Sequence, residues 1–192
     1  DRGSFIVNGT ERVVVNQLAR SAGVYFSIES GAPGQEVYKA KIIPDRGAWL
    51  EFDLTSGDVL SVNIDNRRKL PATVLLKAFG LKDNTELIKA FGGVEEEADI
   101  VEQDVRGRLL AEDIIDSAGH VIISKNDRLT KEHVETLWDR GLTRVKLWNV
   151  DPIFPATLER DGSNSPEEAM LEIFKRMRPN EPLRVENAKD YV

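Results

Sequence analysis

Between residues 5 and 64 the apolar positions come in short bursts rich in β-branched and aromatic side chains, separated by glycine, asparagine and proline. This pattern predicts strands over Phe5–Val7, Glu11–Val15, Val24–Glu29, Val37–Ile43, Trp49–Leu54 and Val59–Ile64. Asn8-Gly9, the run 31–34 and Ser56-Gly57-Asp58 supply the turns. The period then lengthens to that of helices, over Ala72–Phe79 and Thr85–Phe91, which stop at Gly80 and at Gly92-Gly93. Arg108–Ile123 reads as two short strands around Ser117-Ala118-Gly119. Thr130 caps a helix carrying Val134, Leu137 and Trp138, which ends at Gly141, and Val145–Val150 is a further strand. Near the end, Ser165, Pro166 and Glu168 form the N-cap, first helical position and capping-box acid of a last helix. Its apolar stripe is Met170, Leu171, Phe174 and Met177, and Pro179 terminates it. The fold class is α+β.

Strand order fixes faces as well as elements. In the hairpin from Trp49 to Arg67, Leu50, Phe52 and Leu54 share one side and match Leu60, Val62 and Ile64 on the partner strand. That side is the core. The other carries Trp49, Glu51, Asp53, Ser61, Asn63, Asp65 and Arg67 and is expected to meet water or a partner. Pairing Leu50 with Ile64 sets Trp49 beside Asp65, next to the basic triplet Arg67-Arg68-Lys69.

The chain has 192 residues, 41% of them hydrophobic and 31% charged, enough for one domain or two small ones with a real core. Having no cysteine and only two histidines, His120 and His133, it has no disulfides, thiol chemistry or His-rich metal site. No apolar run approaches the roughly 18 to 20 residues of a membrane helix, and no signal peptide is read at the start. Opening on Asp1 rather than Met fits a piece of a longer protein. A net charge of −7 opposes bulk attraction to nucleic acid, so any DNA contact must be local. The acidic run Glu95–Glu97, Asp99, Glu102 and Asp104 reads as a solvated connection.

An indole on a polar strand face, with a carboxylate and arginines around it, suits stacking on an unpaired base with hydrogen bonds to its edge. The alternative is that Trp49 packs under a loop and Asp65 pairs with Arg67 or Arg68. Arg12, Gln17 and Arg20 leave a Val-rich strand for a polar loop, where ion pairs and phosphate contacts are equally compatible with the pattern. Glu112 and Asp113 have no nucleophile or glycine cradle beside them, and His133 is expected on the exposed side of its helix, without a role. With no Walker motif, no G-x-S-x-G and no two-metal carboxylate cluster, the chain has no self-sufficient active site.

Four ordered blocks carry a resemblance: residues 3–26 (GSFIVNGTERVVVNQLARSAGVYF), 43–52 (IPDRGAWLEF), 67–77 (RRKLPATVLLK) and 173–182 (IFKRMRPNEP). Together they closely resemble the bacterial RNA polymerase β subunit, and residues 107–116 (GRLLAEDIID) resemble an intervening part of it. The resemblance implies a fragment comprising the lobe, or β2 region. Residues 1–97 would be its β-rich part with helices at 70–91, 98–151 an inserted small α/β subdomain, and 152–192 its C-terminal helical part.

In that family the lobe walls the downstream DNA cleft and touches the nontemplate strand. Carried over, Trp49 would stack on a nontemplate base, Arg20 and Asp65 would flank a flipped guanine, and Arg67, Arg68 and Lys69 would contact DNA. Val15 and Gln17 would contribute to the rifamycin-binding surface. The partners implied are the β′, α and σ subunits and the nontemplate and downstream DNA, with docking of transcription factors as the alternative role. The fragment would be a cytoplasmic, non-membrane part of a nucleotidyltransferase, inactive alone and without a cofactor, since the Mg2+-holding Asp motif belongs to β′.

The family's usual Ser-Gln and Ser-Pro-Gly are Asn16-Gln17 and Ser21-Ala22-Gly23 here, which loosens the loop after Arg20. Asn66 replaces the first of three basic residues and removes one candidate DNA contact. Asn180, Leu183 and Arg184 stand for Gly, Pro and Thr.

Overall fold

The computed structural model describes residues 3–31, 33–54 and 57–192; the turn expectations that include Ala32 and Ser56 lie outside them. Strands β1 (Ser4–Val7) and β2 (Thr10–Val13) form a hairpin across Asn8 and Gly9, both at positive φ, as a type I′ turn requires. β2 stops two residues before its predicted end, leaving Val15 in the loop.

Strands β3 (Gly23–Ser30), β4 (Glu36–Ile43), β5 (Leu50–Leu54), β6 (Leu60–Ile64) and β7 (Leu70–Pro71) make one antiparallel sheet in chain order. The register pairs Leu50 with Ile64, Phe52 with Val62 and Leu54 with Leu60, as their alternation predicts. Helix α1 (Ala72–Ala78) follows β7 directly and, with α5 (Pro166–Met177), covers this apolar side. Val62, Leu70, Val74, Leu75, Ala169, Ile173 and Met177 are its buried centre, each large side chain contributing about 1.5–3 kcal/mol.

Helix α2 (Asn84–Ala90) is capped by Asp83, whose carboxylate accepts from Glu86 N–H at 2.8 Å. Gly93 then turns the chain so tightly that a Cβ there would lie 2.3 Å from Ile88 Cγ2. The acidic run that follows is not a solvated connection. Its first part is β8 (Val94–Asp99), paired with β11 (Arg144–Asn149). Strand pairing is helped by cations and donors on neighbouring segments: Arg108 meets Glu96 at 2.5 Å, Asn149 donates to the same carboxylate, and Lys146, bonded to Glu112 at 3.0 Å, stands opposite Glu97 in the register. Ala98 and Ile100 are buried.

Strands β9 (Ile114–Ile115) and β10 (Val121–Ile123) and helix α3 (Lys131–Asp139) enclose a second core of Ala98, Leu110, Leu129, Leu137, Val145 and Leu147. His133 is no bystander here. Its Nδ1 accepts from Thr130 N–H while Thr130 Oγ1 accepts from His133 N–H, closing the capping box of α3. A third core, around Leu87, Leu109, Trp148 and Phe154, joins α2 and β11 to α4 (Ile153–Leu158).

Ser165 caps α5 as expected, accepting from Glu168 N–H, but the Glu168 carboxylate takes Asn164 N–H instead of returning to Ser165. The stripe is also rotated from the expected one: Ala169, Ile173, Phe174 and Met177 are buried, while Met170 and Leu171 lie at its margin. The last helix is α6 (Val185–Tyr191), whose Tyr191 meets Phe174 edge-on at 5.7 Å.

Candidate nucleic-acid interface

At the open end of the β5–β6 hairpin, Trp49 and Asp65 hold each other through the backbone. Trp49 N–H donates to Asp65 Oδ1 and Asp65 N–H donates to the Trp49 carbonyl, both at 3.0 Å. A tight turn makes this reach possible: Arg67 N–H donates to the Ile64 carbonyl at 3.0 Å, with Asp65 and Asn66 between them at φ 48° and 55°. The indole is 40% exposed. It lies beside a cleft of about 370 Å³ lined by Trp49, Glu51, Asp65, Asn66, Arg67 and Tyr191 among others. Among the described residues Asp65 forms no ion pair with Arg67 or Arg68, so its second carboxylate oxygen has no cation of its own.

Arg20 stands in a separate cleft. Its guanidinium lies 3.8 Å from the Tyr25 ring centroid, and the Tyr25 hydroxyl donates to the Ser21 carbonyl, tying the loop after Arg20 to β3. This second cleft, about 160 Å³, is lined by Arg20, Tyr25, Lys39, Lys41 and Glu51 among others. Trp49 and Asp65 are thus brought together and Arg20 is set apart, with Glu51 shared between the two clefts. Lys41 pairs with Glu51, and its ammonium lies 5.4 Å from the Trp49 ring centroid. Sequence pattern placed Glu51 on this face but could not single out Lys41, because only the strand register aligns them.

The polar side of the hairpin is not uniformly wet. Asp53 is buried, and Lys69 reaches it at 2.6 Å, which gives the last member of the basic triplet an internal partner. Arg67 and Arg68 instead line a groove of about 1120 Å³ against α5, with Leu171, Lys175 and Arg176. Arg176 is committed elsewhere, donating to the Lys69 carbonyl at 2.6 Å and to Glu172 at 2.8 Å. Arg12, Val15 and Gln17 are exposed on the β1–β2 hairpin and the loop after it, and none of them lines either cleft.

Residues 19–119 match the family described as RNA polymerase Rpb2, domain 2. The chain is 36% identical to the DNA-directed RNA polymerase subunit beta of Fusobacterium nucleatum over its whole length, and 37% identical to that of Chloroflexus aggregans, again over its whole length. With that of Syntrophotalea carbinolica it shares 32% identity over 98% of the chain. It spans only 18%, 13% and 18% of these three relatives, respectively.

Proposed function

Because the chain belongs to the RNA polymerase Rpb2 domain 2 family, in the form carried by bacterial β subunits, we propose that it is the lobe of a β subunit and holds the unpaired nontemplate strand at the open end of its β5–β6 hairpin. The observation that carries this reading is exposed Trp49, whose backbone N–H and carbonyl are both bonded to Asp65, the first by its carboxylate and the second by its N–H. Trp49 stacks on a base. Asp65 has one oxygen occupied by Trp49 N–H and offers the other to the donor edge of a neighbouring guanine. Arg67 and Arg68 take the phosphates along the groove against α5. Arg20 contacts the strand from its own cleft, and Lys69 contributes by neutralising Asp53.

Val15 and Gln17 form part of the rifamycin-binding surface, which other parts of the β subunit complete. Nucleotidyl transfer and its Mg2+ belong to β′. The lobe's partners are β′, α, σ and downstream DNA. Among the described residues no helix is long and apolar enough to cross a membrane.

A second surface favours a protein partner: Phe26 and Ile28 are 81% and 62% exposed and line a concave apolar face with Tyr38 and Phe52. One experiment separates the two readings. Full-length β subunit carrying Trp49→Ala, assembled into polymerase, is expected to release a bubble with a G-containing nontemplate strand about 5- to 150-fold faster, since base stacking is worth about 1–3 kcal/mol. Unchanged release, with transcription-factor binding intact, would replace the DNA reading by the docking one.

A further inference from the structure

The β3–β6 register aligns Tyr25, Lys41, Glu51 and Asn63 in one row across the polar side of the sheet. In the middle of that row Lys41 and Glu51 form an ion pair whose side chains are 35% and 26% exposed. Such a half-exposed pair contributes only about 0–1 kcal/mol to stability. Its position matters more. Glu51 lines both the Trp49 cleft and the Arg20 cleft, and Lys41 lines the second while its ammonium stands 5.4 Å from the Trp49 ring. Lys39, the other ammonium of the Arg20 cleft, is tied to Glu29 at 2.5 Å.

Building on the reading that Trp49 stacks an unpaired base, we propose that Lys41 is a further contact to the nontemplate strand, neutralising the phosphate that joins the nucleotide at Trp49 to the one at Arg20. Glu51 tunes that contact by competing for the same ammonium. Two nucleotides seated in adjoining clefts are joined by a phosphate, which must cross the boundary where Glu51 sits. A bare carboxylate there would repel it. Lys41 cancels that charge and, when a phosphate arrives, can exchange one anion for another at little cost in solvation.

The test uses full-length β subunits assembled into polymerase, with Lys41→Met, Glu51→Gln, the double variant and Trp49→Ala, titrated with bubble DNA between about 50 and 200 mM salt. Lys41→Met should bind about five- to tenfold more weakly and lower the slope of log affinity against log salt by about 1. Glu51→Gln should bind about threefold or more tightly, through release of the ammonium and loss of a repelling charge. The double variant should fall between Lys41→Met and wild type and keep the lowered salt slope, because the repelling carboxylate is gone but the phosphate contact is still missing. A purely structural pair would act differently, with both single variants weakening binding alike and lowering the melting temperature. That result, or an unchanged salt slope in Lys41→Met while Trp49→Ala still weakens binding, overturns the Lys41 assignment and leaves the hairpin reading standing. If Trp49→Ala also binds as wild type does, the hairpin reading falls with it.

Discussion

Asp65 and Asn66 are consecutive non-glycine residues in the left-handed region, at φ 48° and 55°, and the geometry of the candidate site depends on them. An ordinary L-residue pays about 1–2 kcal/mol there, whereas Asp and Asn are tolerated because their short polar side chains bond locally. The turn lets Asp65 fold back onto Trp49 N–H and directs Arg67 toward the cleft. Asn66 therefore serves the backbone of the turn and supplies no charge to the cleft it lines. Asn66→Gly should leave stability unchanged or raise it, and Asn66→Val should lower it by about 1–2 kcal/mol in urea unfolding, because a β-branched residue resists positive φ. An equal loss in both variants would mean that the Asn66 side chain, and not its backbone conformation, is what the turn needs.

Among the elements, α1 is clasped to the segment before α5 by a charge in the protein interior. Lys77 is fully buried, 2.9 Å from Asp161, and donates to the Ser163 carbonyl at 2.5 Å. Burial alone would push the Asp161 carboxyl above its ordinary 3.8, but the Ser163 N–H and hydroxyl, which both donate to it, and the Lys77 ammonium beside it hold the group below that value. A carboxyl lowered by folding adds stability above its unfolded pKa, and that stability is lost as pH falls through the folded one. Urea midpoints should therefore decline as pH drops below about 4, with a shallower acid limb in Asp161→Asn. Lys77→Met should cost on the order of 3–5 kcal/mol near neutrality, since it strands a buried carboxylate. An acid limb identical in wild type and Asp161→Asn would show that other groups control it.

The same contrast between local and distant determinants explains which elements were legible in the sequence. The β5–β6 register and the caps at Thr130 and Ser165 depend on neighbours a few residues away. The acidic strand β8 depends on Arg108, Lys146 and Asn149, which only the fold brings to it. Helices α4 and α6 carry weak local signals: both are short and lack a side-chain cap, and α4 has Pro155 inside it. At the site, alternation alone put Trp49 beside Asp65, whereas the separation of Arg20 from them, and Lys41 between, follow from strand order across the whole sheet.

At the scale of the whole molecule, the apolar side of the sheet extends further than the helices that cover it. α1 and α5 pack over β5, β6 and β7, while the same side of β3 and β4 carries Val24, Phe26, Ile28 and Tyr38 largely bare. Among the described residues β3 is also an edge strand, eight residues long, with an unpaired backbone flank beside an exposed apolar row. Long, apolar, unprotected edges pair with copies of themselves, and a net charge of −7 spread over the molecule repels too weakly at close range to prevent it once salt screens it. The 192-residue chain alone should therefore self-associate with rising concentration in sedimentation velocity at about 0.15 M salt. Phe26→Lys should suppress this, because a lysine on an edge strand has to be desolvated before another strand can dock. The substitution removes a side chain that is 81% exposed, so unfolding free energy should shift by no more than about 0.5 kcal/mol. A wild-type chain that stays monomeric at high concentration, or a Phe26→Lys chain that associates equally, would show that β3 is not the surface through which copies meet.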